Sequence, residues 1–162
     1  MKVQNTRLFN SGVISVGAAF LALIAGAGAL LADGERVAPV RDPVVKKECG
    51  ACHIVYPAAL LPAQSWRTMM AGLKDHFGDN AELDEATTRR IADYLVAGAA
   101  SERKRRIAPA ALRITEQPWW TRKHEKRGRV STRALAKAGA KSKSECKACH
   151  EGAEQGVFED EN

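Results

Sequence analysis

The sequence is poor in the residues that build a large protein core. Aromatic side chains make up 6% of its 162 residues, with four Phe, three Trp and two Tyr. No stretch shows a clear alternation of apolar and polar residues, which is the pattern of a half-buried strand. We therefore predict an all-α chain with little or no β-structure.

The formal net charge of +6 is not accompanied by a basic, aromatic-rich motif of the kind that binds nucleic acid. The densest basic run, Arg103 to Arg106, lies between Ser101 and Ala108 and precedes Pro109, so this stretch is predicted to be a linker. Such a run is typical of a solvated surface, and the alternative is a docking patch for an acidic protein. We expect no nucleic-acid partner.

Charge is absent from Gly12 to Leu31, which follows Lys2 and Arg7. A basic start, an apolar run and small residues up to Ala32 predict a secretory signal peptide over residues 1–32. A run of about 20 apolar residues could also cross a bilayer, so an uncleaved N-terminal anchor is the alternative. Both interpretations place the rest of the chain outside the cytoplasm, in the periplasm, with membrane contact only through this segment.

Cysteine and histidine are also scarce, with four of each. Two copies of one pentapeptide, Cys49-Gly50-Ala51-Cys52-His53 and Cys146-Lys147-Ala148-Cys149-His150, use every cysteine and two of the histidines. In C-x-x-C-H the two thiols form thioethers with the haem vinyl groups, and the His supplies an axial nitrogen to the iron. The doubled motif therefore predicts two haem c groups, with the four cysteines as attachment points and His53 and His150 as iron ligands.

Three alternatives use the same cysteines. Two C-x-x-C pairs could hold one structural zinc, but such pairs usually lie closer along the chain and need no His after each second Cys. Thioredoxin-like redox chemistry requires a βαβ setting, which the sequence does not show. Structural disulfides are a third possibility in an exported protein.

The two remaining histidines, His76 and His124, are candidates for the far side of each iron. His76 falls at the edge of an apolar helical stripe, and His124 follows Trp120 by four residues, on the same helix face. Two irons that each need a second ligand favour ligation over a structural or surface role. Met69 and Met70 compete with His76, and a Met/His haem would have a higher potential than a His/His haem.

Three helices are predicted in the first half. Asp42-Pro43 favours a helix start, and that helix should carry Cys49 and Cys52 at its C-terminal end. A second helix is expected from Ala63 to Phe77 with Gly78 as its stop, and a third from Leu83-Asp84 to about Ala100.

The second half contains two predicted helices. Thr115 to Pro118 resembles a helix start, with the helix continuing from Trp119 to Arg127. Ser142 with Glu145 three residues later resembles a capping box for a helix that carries the second motif.

These residues resemble the bacterial dihaem cytochrome c family. The similarity begins with C-x-x-C-H at Cys49 and continues through Tyr56-Pro57, Leu60-Leu61-Pro62, Ser65-Trp66, Met70, Leu73 and the run His76 to Ala81. In the second half it includes Trp120, His124, the second motif and the run Gly156 to Asp160. Ala58 departs from the pattern, because a second proline is expected after Tyr-Pro.

The resemblance implies two small cytochrome c-like haem-binding domains, which we place at residues 33–104 and 105–162. By the matching positions, His53 and His76 would serve one haem, and His124 and His150 the other. It also implies low-potential electron transfer in the periplasm. The implied partners are a small oxygen-binding monohaem cytochrome c as acceptor and a membrane-bound b-type cytochrome as possible donor.

Electron transfer is the function that the ligand count itself favours, since an iron with two protein ligands offers no open position to a substrate. The chain is therefore predicted not to be an enzyme. The alternative is a haem enzyme of the peroxidase or oxygen- or nitrite-handling kind, which would need one displaceable axial ligand. A sensor or a subunit of a larger complex is a third class, favoured by an anchored N-terminus.

Overall fold

The computed structural model describes residues 35–101, 107–125 and 130–159. These residues form five short α-helices, five 3-10 turns and one pair of two-residue strands. The helices are α1 (Pro43–Cys49), α2 (Ala63–Ala71), α3 (Glu85–Ala97), α4 (Pro118–His124) and α5 (Thr132–Lys137). The strands are β1 (Glu35–Arg36) and β2 (Val157–Phe158). The prediction of an all-α chain with little β-structure is confirmed.

Two predicted segments, the leader at residues 1–32 and the basic run at residues 103–106, lie outside the described residues. Within the described ranges, no helix combines the length and the apolar composition that a membrane span requires. The part from Leu31 to Asn162 forms one compact unit. Its division into two haem domains stays a prediction.

Helix α1 begins as predicted and ends earlier. The carboxylate of Asp42 accepts hydrogen bonds from the backbone N–H groups of Val44 and Val45 at 2.8 and 3.2 Å. These bonds satisfy two amides that the first turn leaves without helical partners. The helix ends at Cys49, with Gly50 as its C-cap, so the prediction that the helix also carries Cys52 is wrong.

Helix α2 begins at Ala63 as predicted but stops at Ala71 instead of Phe77, because Gly72 forms its C-cap. A single 3-10 turn, Leu73–Asp75, follows. His76 then begins a tight hairpin in which its N–H donates to the Asp79 carbonyl at 2.7 Å, and Phe77 has a positive φ of 60°. His76 therefore lies in a turn and not on a helix face.

The core of the first half forms where α1, α2 and α3 meet. Asp84 caps α3 by accepting the N–H of Thr87 at 2.9 Å, as the sequence predicts, and the helix ends at Ala97. The buried members of this cluster come from all three helices and the loops between them: Val40, Val45, Ala58, Leu61, Trp66, Met70, Ile91 and Leu95. A second cluster, Leu60 with Trp119 and Trp120, joins the two halves.

Two buried polar side chains hold the chain between the halves against α2. Gln117 accepts the N–H of Ala108 and donates to the carbonyls of Ala108 and Ala111, at 3.0 to 3.2 Å. The hydroxyl of Ser65 lies 2.7 Å from the same Ala111 carbonyl. Buried polar groups must be paired to avoid a desolvation cost, so these bonds fix the path of residues 108–111.

The two ends of the described chain meet. Strand β1 pairs antiparallel with β2, and the guanidinium of Arg36 contacts the carboxylate of Glu159 at 2.6 Å across 123 residues. Gly156 lies beside this pair with φ of 74°, and a Cβ there would collide with the Val37 carbonyl. Sequence alternation could not predict strands of two residues.

Candidate haem sites

The first motif is placed where α1 ends. Cys49 is half-buried at the last helical position, whereas Cys52 and His53 are exposed in the turn that follows. Burial, followed by the nearby Glu48 carboxylate, raises the pKa of the Cys49 thiol. The His53 Nδ1 lies 2.6 Å from the Ile54 carbonyl, which can only accept a hydrogen bond. Nδ1 therefore carries the proton, and Nε2 is the nitrogen suited to bind a metal.

A cavity of about 570 Å³ opens beside this motif. Its volume lies within the range of about 300–1,000 Å³ that is usual for cofactor sites. Most of its wall is apolar, contributed by Leu61, Trp66, Leu73, Ile91 and Leu95 among others. Cys49, Cys52 and His53 lie along its wall with His76, so the residues present fit a covalently attached macrocycle.

His76 faces His53 across this cavity. The centroids of the two rings are 6.2 Å apart, with 28° between the ring planes. A metal–imidazole bond is about 2 Å long, and each ring nitrogen lies about 1 Å from its ring centroid, so two rings on opposite sides of one metal ion have centroids about 6 Å apart. Burial lowers the pKa of His76, and His53 lowers it further, which keeps the ring in its neutral, metal-binding form.

Met69 and Met70 also line the first cavity. Met70 is buried in the first core cluster, and Met69 packs against it. Both side chains therefore have the structural role that methionines at helical spacing usually have. The ring separation favours His76 as the partner of His53.

The second motif forms a 3-10 turn, Cys146–Ala148, and not the predicted α-helix. The Glu145 carboxylate accepts the N–H groups of Lys141 and Ser142, each at 2.9 Å. Only the glutamate half of the predicted capping box is thus present. Burial raises the pKa of the Cys146 thiol to about 11.

His124 and His150 come together beside the second motif, with ring centroids 6.1 Å apart and the ring planes at 88°. His124, at the end of α4, has its Nδ1 3.0 Å from the Trp120 carbonyl and stacks on the Trp120 ring at 4.3 Å. His150 has its Nδ1 3.2 Å from the Glu159 carbonyl. Each Nδ1 must donate to its carbonyl, so Nε2 is again the nitrogen suited to a metal.

A smaller cavity of about 30 Å³ lies at this second pair. Its wall includes Trp120, His124, Cys146, Cys149 and His150. No two of the four cysteines form a disulfide. Among the described residues, no three side chains of the His, Cys, Asp or Glu types converge in a group that could hold a metal ion.

Sequence reasoning missed three residues at the first cavity. The Arg113 guanidinium lies 3.9 Å from the centroid of the exposed Phe77 ring, next to His76, and both side chains line the cavity. Tyr56 packs on His53 with centroids 4.9 Å apart. Neither an isolated Arg nor an isolated aromatic residue carries a spacing signal, although Phe77 and Tyr56 did belong to the runs that resemble the family.

The chain is similar to proteins that are described as dihaem cytochromes. The family model for dihaem cytochrome c matches residues 45–158. A crystal structure of the dihaem cytochrome DHC purified from Rhodobacter sphaeroides is 51% identical, with a TM-score of 0.63 over 74% of this chain and 99% of that one. A second structure of a dihaem cytochrome c from the same organism is 48% identical, with a TM-score of 0.65 over 76% and 99%.

A dihaem cytochrome c from Shewanella baltica is 42% identical, with a TM-score of 0.59 over 72% of this chain and 86% of that one. No curated protein matches the chain. The family match spans most of the described residues and includes both motifs. The chain therefore belongs to the dihaem cytochrome c family and binds two haem c groups.

Proposed function

We propose that this protein is a periplasmic electron carrier of low potential whose two haem irons are each held between two histidines. The observation that carries the proposal is the pair of ring separations, 6.2 Å for His53 with His76 and 6.1 Å for His124 with His150. Both match the spacing of about 6 Å that two imidazoles need on opposite sides of one metal ion.

A c-type haem supplies a one-electron couple between ferric and ferrous iron. The protein contributes two nitrogen ligands to each iron, which leave no position open for a substrate and give a lower potential than a His/Met pair. Backbone carbonyls that accept the Nδ1–H of His53, His124 and His150 increase the basicity of these ligands and hold their rings. A more basic ligand set stabilises the ferric state, which further lowers the potential.

The proposed location and partners of the protein are supported by the leader sequence and by the resemblance to the family. Covalent haem is attached outside the bacterial cytoplasm, and the apolar stretch ahead of Asp33 has the pattern of an export signal. The resemblance to the family supports a small oxygen-binding monohaem cytochrome c as acceptor and a membrane b-type cytochrome as donor. Mixing the reduced protein with such an acceptor in a stopped-flow instrument tests the first pairing, and transfer no faster than to an unrelated cytochrome would contradict it.

Near-infrared magnetic circular dichroism of the oxidised holoprotein tests the ligand assignment, because His/His, His/Met and high-spin haem give different bands. We expect two His/His signatures and no binding of carbon monoxide to the reduced protein under conditions that saturate a five-coordinate haem. A Met signature would implicate Met69 or Met70. A high-spin signature with ready carbon monoxide binding would contradict the electron-carrier function and favour a haem enzyme.

A further inference from the structure

Tyr56 connects the two haem-binding motifs. Its hydroxyl donates to the carbonyl of Ser144 at 2.8 Å, across 88 residues of chain. The same carbonyl accepts the N–H of Cys146, also at 2.8 Å. The hydroxyl of Tyr56, three residues after the first motif, is therefore bonded to the backbone two residues before the second motif begins.

The ring of Tyr56 also lies between the two sites. On one side it packs on His53, with centroids 4.9 Å apart and 33° between the planes. It is also packed against the second core cluster, whose member Trp120 stacks on His124. Tyr56 lines the first cavity together with Ser144 and Cys146, so the wall of that cavity extends to the second motif.

We propose that Tyr56 is a positioning residue that holds the two haem-binding motifs at a fixed separation and orientation, and so sets the rate of electron exchange between the two haems. The inference rests on the proposed carrier function, since it assumes that electrons pass between the haems. The exchange step would move one electron between the haems: the ferrous iron of one haem is oxidised, and the ferric iron of the other is reduced.

The physical reason is the steep dependence of electron transfer on distance and orientation. The second motif is a single 3-10 turn that follows an exposed segment, residues 141–145, so its own secondary structure holds it weakly. A hydrogen bond between neutral groups changes an equilibrium by a factor of about 2 to 10. Loss of the Tyr56 bond should increase, by a similar factor, the population in which the second motif has moved away from the first.

Tyr94 provides a matched control, because it is the other tyrosine of the chain. Its hydroxyl also makes one hydrogen bond to the backbone, accepting the N–H of Arg41 at 2.9 Å. Tyr94 packs at the edge of the first core cluster and does not line the haem cavity. Tyr56→Phe and Tyr94→Phe thus each remove one hydroxyl and one backbone hydrogen bond, and each keeps the aromatic ring.

The experiment measures electron exchange between the haems in the half-reduced holoprotein by NMR exchange spectroscopy of the haem methyl signals. Tyr56→Phe is expected to lower the exchange rate, by at most about 10-fold, and Tyr94→Phe to leave it unchanged. An exchange rate in Tyr56→Phe equal to that of the wild type would overturn the inference, even if the melting temperature fell. An equal loss in both variants would also overturn it, because the effect would then reflect general loosening.

A different measurement tests the proposed carrier function, so its failure can be distinguished from a failure of the inference about Tyr56. Magnetic circular dichroism of the wild-type holoprotein reports the axial ligands, whereas the comparison of the two tyrosine variants reports the link between the motifs. That comparison does not depend on which side chain occupies the far side of either iron.

Discussion

The same pentapeptide builds two different sites in this chain. The first follows an α-helix and opens on a cavity of about 570 Å³, and its histidine rings are 28° from parallel. The second forms a 3-10 turn beside a cavity of about 30 Å³, and its rings are nearly perpendicular at 88°. The motifs share their spacing, but the segments that supply the second histidine of each pair are of different kinds.

Those segments differ in how they hold the ring. His76 lies in a hairpin beside Phe77, a residue of positive φ whose exposed ring contacts the Arg113 guanidinium and the His76 ring. His124 ends a helix, has a carbonyl acceptor for its Nδ1 and stacks on the buried Trp120. A backbone acceptor and a stacked indole therefore orient the His124 ring, and we expect this ring to be held more rigidly than that of His76.

The largest effect is expected from removing one far-side histidine at a time. His76→Ala should make the first haem high-spin and open to carbon monoxide while the second stays low-spin, and His124→Ala should do the reverse. Near-infrared magnetic circular dichroism and carbon monoxide titration check both. Met69→Leu and Met70→Leu are the controls and should keep two low-spin signatures. If His76→Ala left the spectrum unchanged, His76 would not be a ligand.

The unmodified protein should already distinguish its two haems by electron paramagnetic resonance. Nearly parallel imidazole planes separate the two iron d orbitals of π symmetry and give a rhombic low-spin signal, whereas perpendicular planes leave these orbitals close in energy and give a highly anisotropic one. The ring angles of 28° and 88° predict one signal of each kind from the ferric protein. Two identical rhombic signals would contradict the perpendicular arrangement of His124 and His150.

The role of Trp120 can be separated from its contribution to the core. Trp120→Ala and Trp66→Ala each remove a buried indole, 3% and 5% exposed, and each should lower the free energy of unfolding by about 3–5 kcal/mol. Only Trp120→Ala should also change the anisotropic signal of the second haem, because Trp120 stacks on His124. Urea unfolding and paramagnetic resonance of both variants test this. An altered second-haem signal in Trp66→Ala would show that the core acts on both sites alike.

The smallest expected effect is a loss of stability at low pH. The hydrogen bond from Arg90 holds the pKa of Asp42 below its usual value, so this carboxylate contributes stability that is present at neutral pH and is lost as the pH falls through the lowered pKa, below about 4. Asp42 caps α1, which carries Cys49. Low pH should therefore loosen the first motif before the whole protein unfolds. In Asp42→Asn, the free energy of unfolding should fall less steeply as the pH is lowered. Unfolding curves between pH 2 and about 6 provide the measurement. An acid limb equal to that of the wild type would exclude a role for this cap.

Local signals explain which parts of the fold the sequence could predict. Asp42 with Pro43, and Asp84 after Leu83, mark helix starts by side-chain chemistry close in sequence, and both caps form. The end of α2 was missed because Gly72 stops the helix inside an apolar periodic stretch that continues to Phe77. Periodicity reports which residues are apolar at helical spacing and does not detect a C-cap within the run.

The candidate site also contains residues that local sequence signals predict and contacts that they do not. The cysteines and the first histidine of each motif follow from spacing alone, and the count of histidines indicated His76 and His124. The contacts of Tyr56 with Ser144 and of Arg113 with Phe77 join residues that are distant in sequence. No local pattern encodes such contacts, because they depend on how the halves pack.

The pairing of β1 with β2 has a consequence for the order of folding. Closing a loop of 123 residues is entropically expensive, and contacts between distant residues form slowly. Since both C-x-x-C-H motifs lie inside this loop, we expect the chain ends to join last, leaving the thiols accessible to the attachment machinery until both macrocycles are in place. Because the chain has few core-forming side chains, we expect the apoprotein to be open and sensitive to proteases.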